Sequence, residues 1–377
     1  MGLHAIQQRM TAIIEPALSR PTSTDAASGL KLASQPERVL VKEVNWLGDI
    51  VISIPALKAI RRAFPKARLS VMVKQEFASF FDGARWVDEV IAYKAPRGAG
   101  GLFEWLSIIG RIRAGRFDLA VLFPNSFEAA LWAALGGATN RAGFSRDGRG
   151  FLLTHRVRPT AKVLAAHQVH YYLEMLRQTI GVEGDAADYG LDIHEPHRAT
   201  MREWLGANRK RPASKLFVLA PAAAYGPAKE WPADHYAKLI DLIADRFDGE
   251  CVLIGAPAER ARCEQIAAAS NRGAIVAAGE ANIGEVIAML SMADGFAGND
   301  SGCMHLAGAI GIPTVGIFGS TSPARTAPLG PRTKVIYHPI ECSPCLARTC
   351  RFGHYRCLTQ VSAEEVAQSL EALAARS

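Results

Sequence analysis

The stretch RVLVKEVNWLGDIVISIPALKAIRRAFP, residues 38–65, decides the fold class. Residues 39–44, VLVKEV, are a mainly apolar run of strand length, and 54–64 carry apolar residues at helical spacing. Between them NWLGD supplies a tight turn. Strand, Gly turn, helix is the opening of an α/β unit. The same alternation continues outward: strand-like runs at 67–74, 87–94 and 117–123, the last preceded by the helical FEWLSIIGRIRAG. A second series follows, with strands expected at 215–221, 250–257, 273–279, 294–300 and 313–319 and helical lengths between them. Strands separated by helices imply parallel sheets with right-handed crossovers. The predicted architecture is two Rossmann-like, doubly wound lobes with a cleft between them.

Length supports that division, because 377 residues exceed one ordinary core. The expected parts are an N-terminal extension at 1–37, a first lobe at 38–207, a second lobe at 214–357 and a C-terminal helix at 362–376. The Lys/Arg/Pro-rich GANRKRPASK serves as the linker. A composition of 49% hydrophobic and 21% charged residues belongs to a globular chain and excludes a disordered or fibrous one. No run reaches the roughly 18 apolar residues of a membrane span. The first residues lack the apolar core of a signal peptide, so a cytoplasmic location is expected.

A net charge of +7 points to an anionic partner: a nucleotide, a phosphorylated lipid or a nucleic acid. The excess concentrates at 140–162, where Arg141, Arg146, Arg149, Arg156, Arg158 and Lys162 face only Asp147. This stretch reads either as a solvated loop or as an anion contact.

Open α/β sheets bind ligands at the carboxyl ends of their strands, and three such ends carry chemistry. Gly48 and Asp49 follow the first strand; Asp49 fits a general base or a helix cap. The loop APAAAYGPAKEWP carries Tyr225 and one cation, Lys229, suited to neutralising a phosphate or to a surface ion pair. GNDSGCMHLAGAIG offers Asp300 or Ser301 as a cap, Gly302 for close approach and His305 one turn on. Neither the dinucleotide fingerprint nor the Walker order is present, and no nucleophile elbow surrounds Ser301. A helix amino terminus presented to a phosphate is the better reading there. Finally, Cys342, Cys345, Cys350 and Cys357 form a C-x2-C-x4-C-x6-C run, fitting a Zn2+ or Fe–S site or four free thiols.

Four segments together, NWLGDIVISIPALKAIRRAFP, GPAKEWPADHYAKL, GNDSGCMHLAGAIGIPTVGIFGSTSPARTAPLG and CSPCLARTCRFGHYRC, resemble the ADP-heptose:lipopolysaccharide heptosyltransferases, particularly the heptosyltransferase II type of glycosyltransferase family 9. The resemblance runs from about residue 38 to the end. It implies the GT-B fold and inverting transfer of L-glycero-D-manno-heptose from ADP-heptose to the Kdo/heptose inner core of lipopolysaccharide, with no required cofactor. On that likeness Asp49 corresponds to the general base and Lys229 to the diphosphate ligand. Gly48, Tyr225, Glu259, Asp300, Ser301, Gly302 and His305 fall on the donor side, with Glu259 at the ribose. The last helix is expected to pack back on the first lobe. Arg141, Arg146 and Arg149 become candidate contacts for acceptor phosphates or carboxylates, or for the anionic face of the inner membrane. A nucleic-acid partner is not implied. The alternatives are a GT-B transferase with another donor or acceptor, which the Ala-rich loop would allow, and a non-catalytic nucleotide-sugar or polyanion binder.

Overall fold

The computed structural model describes residues 32–96, 98 and 101–375. Most of the expected N-terminal extension therefore lies outside the described residues.

Among the described residues twelve strands form two parallel six-stranded sheets. In the first they are β1 (Arg38–Lys42), β2 (Arg68–Lys74), β3 (Glu89–Tyr93), β4 (Leu119–Leu122), β5 (Asn140–Phe144) and β6 (His155–Val157), ordered β3-β2-β1-β4-β5-β6. In the second they are β7 (Lys215–Ala220), β8 (Gly249–Leu253), β9 (Ile275–Val276), β10 (Gly295–Asn299), β11 (Thr314–Phe318) and β12 (Thr333–Tyr337), ordered β12-β11-β10-β7-β8-β9. Each is the doubly wound order 3-2-1-4-5-6, so the predicted lobes are present. Three strands escaped the sequence reading: β5, β6 and β12. Their sequences, NRAGF, HRV and TKVIY, are polar or short, and β5 and β6 lie in the basic stretch read above as a loop.

The chain divides into two compact units, and the division is not a simple cut between halves. The first holds residues up to Asn45, Pro55–Ala78 and Trp86–Asp188; the second holds Trp46–Ile54, Ser79–Arg85 and everything from Tyr189 on. Three segments read as first-lobe sequence, 46–54, 79–85 and 189–207, thus belong to the second unit. The Leu47–Ala63 helix contains Pro55, and the boundary falls just before that residue. Proline lacks the amide that would continue the helical ladder, so this is its weakest turn.

Each unit has its own core. Leu40, Met72, Ile91, Ile112, Leu122 and Trp132 anchor the first. The second gathers Phe217, Leu219, Trp231, Tyr236, Ile240, Val315 and Ile317. The C-terminal Ala363–Ala374 helix joins this second core through Val366, Ala367, Leu370 and Leu373, with Ser362 capping it at the Glu365 amide. The expected packing on the first lobe is corrected accordingly: the apolar stripe of this helix is spent on the second sheet.

Candidate active site in the second unit

In the second sheet the strand order reverses between β7 and β10, and the loops leaving their carboxyl ends must diverge there. Lys229 comes from the β7 loop and Asp300 from the β10 loop. They meet: Lys229 Nζ lies 2.5 Å from Asp300 Oδ2 and 3.4 Å from the Asp300 carbonyl. Thr321 Oγ1, just beyond β11, donates to the same Oδ2 at 2.6 Å. His305 Nε2 stands 4.0 Å from the other carboxylate oxygen. The Lys229 ammonium also sits 4.9 Å from the centre of the Tyr225 ring, with Arg348 at 5.1 Å on that ring. Tyr225 is fixed by its hydroxyl, which donates to Leu346 O at 2.6 Å. The β7 loop turns at Gly226, whose φ of +141° favours glycine and where a Cβ would lie 2.6 Å from Arg348 O.

Beneath this pair Asn299, fully buried, fixes the β7 and β10 loops together. Its Oδ1 accepts from the Trp231 amide at 2.9 Å and from Tyr236 Oη at 3.1 Å, and its Nδ2 donates to Pro221 O at 2.9 Å. The residue after Asp300 departs from expectation. Ser301 occupies the N-cap position of the Gly302–Ile310 helix but makes no capping hydrogen bond, and the Asp300 carboxylate is taken by Lys229 and Thr321. Neither caps. The Oγ atoms of Ser301 and Ser320 are buried without a hydrogen-bond partner among the described residues. Two unsatisfied hydroxyls beside a lysine, at an uncapped helix start, make a place for a polar anionic ligand.

Asp49 completes the group. NWLGD is not a free turn: the helix already starts at Leu47, so Asp49 lies in its first turn and is not the N-cap. A Cβ on Gly302 would lie 2.7 Å from Leu47 Cβ, and one on Gly48 would lie 2.8 Å from His305 Cδ2. Both glycines thus permit backbone contact between this turn and the Gly302–Ile310 helix. Burial pushes the Asp49 carboxyl up to about 6; Lys229 and Arg325 pull it down and Asp300 pushes it up. An acid at that value is ionised yet basic at neutral pH, as proton abstraction requires.

The remaining sequence candidates fall elsewhere. Glu259 lies beyond β8, in the short Pro257–Glu259 turn, where its Oε2 accepts from the Ala256 amide at 2.7 Å. Arg141 and Arg149 are not surface contacts. Arg149 is fully buried in the first unit, donating to Phe144 O at 3.0 Å, Leu122 O and Asn125 Oδ1 at 3.4 Å and to Pro124 O. Arg141 donates to Leu152 O and Ala138 O, both at 2.6 Å. These two arginines are consumed in holding β5 and the following turn, which corrects the acceptor reading for both; Arg146 remains exposed. The four clustered cysteines form no disulfide among the described residues. Backbone amides at 352–355 pull the Cys350 thiol down, while burial and its three companions push Cys357 up. Among the described residues they do not bring three sulfurs within 4.8 Å of one another.

Sequence reasoning missed Thr321, Arg325 and Asn299. The first two lie in GSTSPAR, inside the quoted motif, but nothing in spacing alone aims them at Asp300 or Asp49.

The profile of glycosyltransferase family 9 (heptosyltransferase) matches residues 105–356. The chain belongs to that family. The glycosyltransferase is 26% identical to lipooligosaccharide heptosyltransferase 2 of Haemophilus ducreyi, over 90% of this chain and 99% of that one. It is also 26% identical to lipopolysaccharide heptosyltransferase 2 of Escherichia coli K12, over 89% and 98%. Among solved structures it is similar to the E. coli ADP-heptose lps heptosyltransferase II, with a TM-score of 0.77 at 24% identity over 90% of this chain and 99% of that one. The fold of the enzyme is GT-B.

Proposed function

We propose that this glycosyltransferase moves L-glycero-D-manno-heptose from ADP-heptose to a sugar of the lipopolysaccharide inner core, with inversion at the anomeric carbon. The observation that carries the reading is the convergence of Asp49, Lys229 and Asp300 in the second unit, with the Asp49 carboxyl raised to about 6. The relatives named for ADP-heptose and for heptose transfer support the donor and sugar class.

Asp49 takes the proton of the acceptor hydroxyl as its oxygen attacks the anomeric carbon. Lys229, with amides at the start of the Gly302–Ile310 helix, carries the charge that grows on the departing ADP. Asp300 holds Lys229 in place and accepts hydrogen bonds from heptose hydroxyls; Thr321 fixes its rotamer. Ser301 and Ser320 supply hydroxyl partners, and Glu259 meets the ribose. A bound diphosphate offsets the Lys229 charge that now lowers Asp49, so the base becomes stronger in the complex.

Work at the cytoplasmic face of the inner membrane follows from the acceptor's lipid anchor. Leu102, Phe103 and Leu106 are exposed on one end of the Gly101–Gly115 helix, a grouping that supports peripheral contact. Among the described residues no helix is long and apolar enough to cross a membrane.

The test incubates the enzyme with ADP-heptose and truncated core lipids and weighs the products. A heptose mass increment on the lipid, lost in Asp49→Ala while ADP-heptose still binds, supports the reading. Donor binding by wild type with no transfer to any core lipid would leave a binding protein, and transfer from another nucleotide sugar alone would reassign the donor.

A further inference from the structure

Away from Lys229 and Asp300, a second cluster in the same unit brings three metal-ligating side chains together. Asp82 lies in the Ser79–Arg85 segment, while His194 and His197 stand at the start of the Glu195–Asn208 helix, three residues apart and so on one face. One ligand atom from each residue falls within 4.8 Å of the other two. His197 Nε2 and Asp82 Oδ2 are 2.9 Å apart, and the two imidazole rings meet edge to face with centroids 4.8 Å apart.

A plain His–Asp hydrogen bond accounts for His197 but not for His194. His194 holds the N-cap position without making a capping hydrogen bond, and its Nδ1 is buried with no partner among the described residues. An orphaned buried ring nitrogen is a net cost to folding unless a ligand takes it. The surroundings are nonetheless built to keep both rings where they are. A Cβ on Gly83, which has φ of +76°, would lie 3.1 Å from His194 Cδ2, and one on Gly284 would lie 2.6 Å from His197 Nε2. Ser79 Oγ accepts from the Gly284 amide at 3.3 Å, and Arg85 pairs with Asp192 at 2.9 Å, so the Ser79–Arg85 segment is tied at one end to the Ile283–Ser291 helix and at the other to the chain just before His194.

We infer that Asp82, His194 and His197 form a binding site for a divalent transition metal of the Zn2+ class, which cross-links the Ser79–Arg85 segment to the start of the Glu195–Asn208 helix. Two imidazoles and one carboxylate suit Zn2+, Co2+ or Ni2+, whereas Mg2+ and Ca2+ prefer oxygen alone. In a tetrahedral Zn2+ site neighbouring ligand atoms are roughly 3.3 Å apart, so closing the cluster takes only small side-chain shifts. A water fills the fourth position. Binding requires both histidines neutral and releases any proton they carry.

The test uses the full chain, stripped with a chelator and titrated with ZnCl2 by calorimetry and with CoCl2 by absorption spectroscopy. His194→Ala and Asp82→Asn should each bind one equivalent fewer than wild type, or bind it at least about tenfold more weakly. The cobalt bands lost with them should lack thiolate-to-metal charge transfer, which separates this site from the cysteines at 342–357. Asp82→Asn keeps an acceptor for His197, so a hydrogen bond of purely structural value survives it; equal melting of stripped variant and stripped wild type checks the fold. Wild type that binds no Zn2+, Zn2+ binding unchanged in both variants, or cobalt bands of thiolate type alone would overturn the site.

Discussion

At the scale of single residues, Asp49 is the most informative. Its folded-state pKa is raised from 3.8 to about 6, chiefly by burial, so the fold favours the protonated carboxyl. The stability Asp49 contributes is therefore full below pH 3.8 and is lost as pH rises through about 6. Above that, its charge is a cost. Asp49→Asn should raise the unfolding free energy at pH 7, read by urea denaturation, by on the order of 1–3 kcal/mol and leave it nearly unchanged at pH 4. The same variant should lose transfer by about 10²-fold or more, the loss expected on removing a general base. In wild type, kcat/KM should fall as pH drops below about 6, and the kcat profile should break at a higher pH once the diphosphate offsets Lys229. A flat profile from pH 5 to 7 would remove Asp49 from the proton transfer.

At the scale of elements, two arginines divide the basic stretch. Arg149 is sequestered beneath the turn after β5, with four oxygen partners, while Arg146 three residues earlier is exposed. Arg149→Ala should destabilise by on the order of 3 kcal/mol, because it leaves buried carbonyls unpaired and a cavity behind. Arg146→Ala should stay within about 0.5 kcal/mol. Chemical denaturation reads both. If Arg146 touches the acceptor, its variant raises acceptor KM at unchanged stability. Gly302 makes the corresponding point for the second unit. An added Cβ there would stand 2.7 Å from Leu47 Cβ, so Gly302→Ala should shift the 46–49 turn away. Transfer should then fall more steeply than ADP affinity, since Asp49 moves and Lys229 does not. Equal losses in both would mean that the alanine damages the donor loop itself.

For the whole molecule, the division into units predicts where a donor analogue acts. Amide exchange with saturating ADP should slow at 221–231, 299–305, 318–325 and 46–50, all within the second unit, and remain unchanged at 127–157 in the first. Protection centred on 127–157 would instead put the nucleotide on the first sheet.

The sequence by itself determined the α/β class, the two lobes and the strand ends carrying Asp49, Lys229 and Asp300, because apolar periodicity and Gly-rich turns are local signals. It reached β5 and β6 poorly, since their arginines look like surface charge until the carbonyls that bind them are in place. From the residues alone it left Asp49 open between a general base and a cap, because the contact of Leu47 and Gly48 with the Gly302–Ile310 helix spans some 250 residues of chain. Only the tertiary structure brought Thr321 and Arg325 to the site and seated the last helix on the second core. It alone placed Asp82 beside two histidines more than a hundred residues away. Local pattern fixes which elements form; burial and long-range pairing decide which charges face a ligand and which are spent inside.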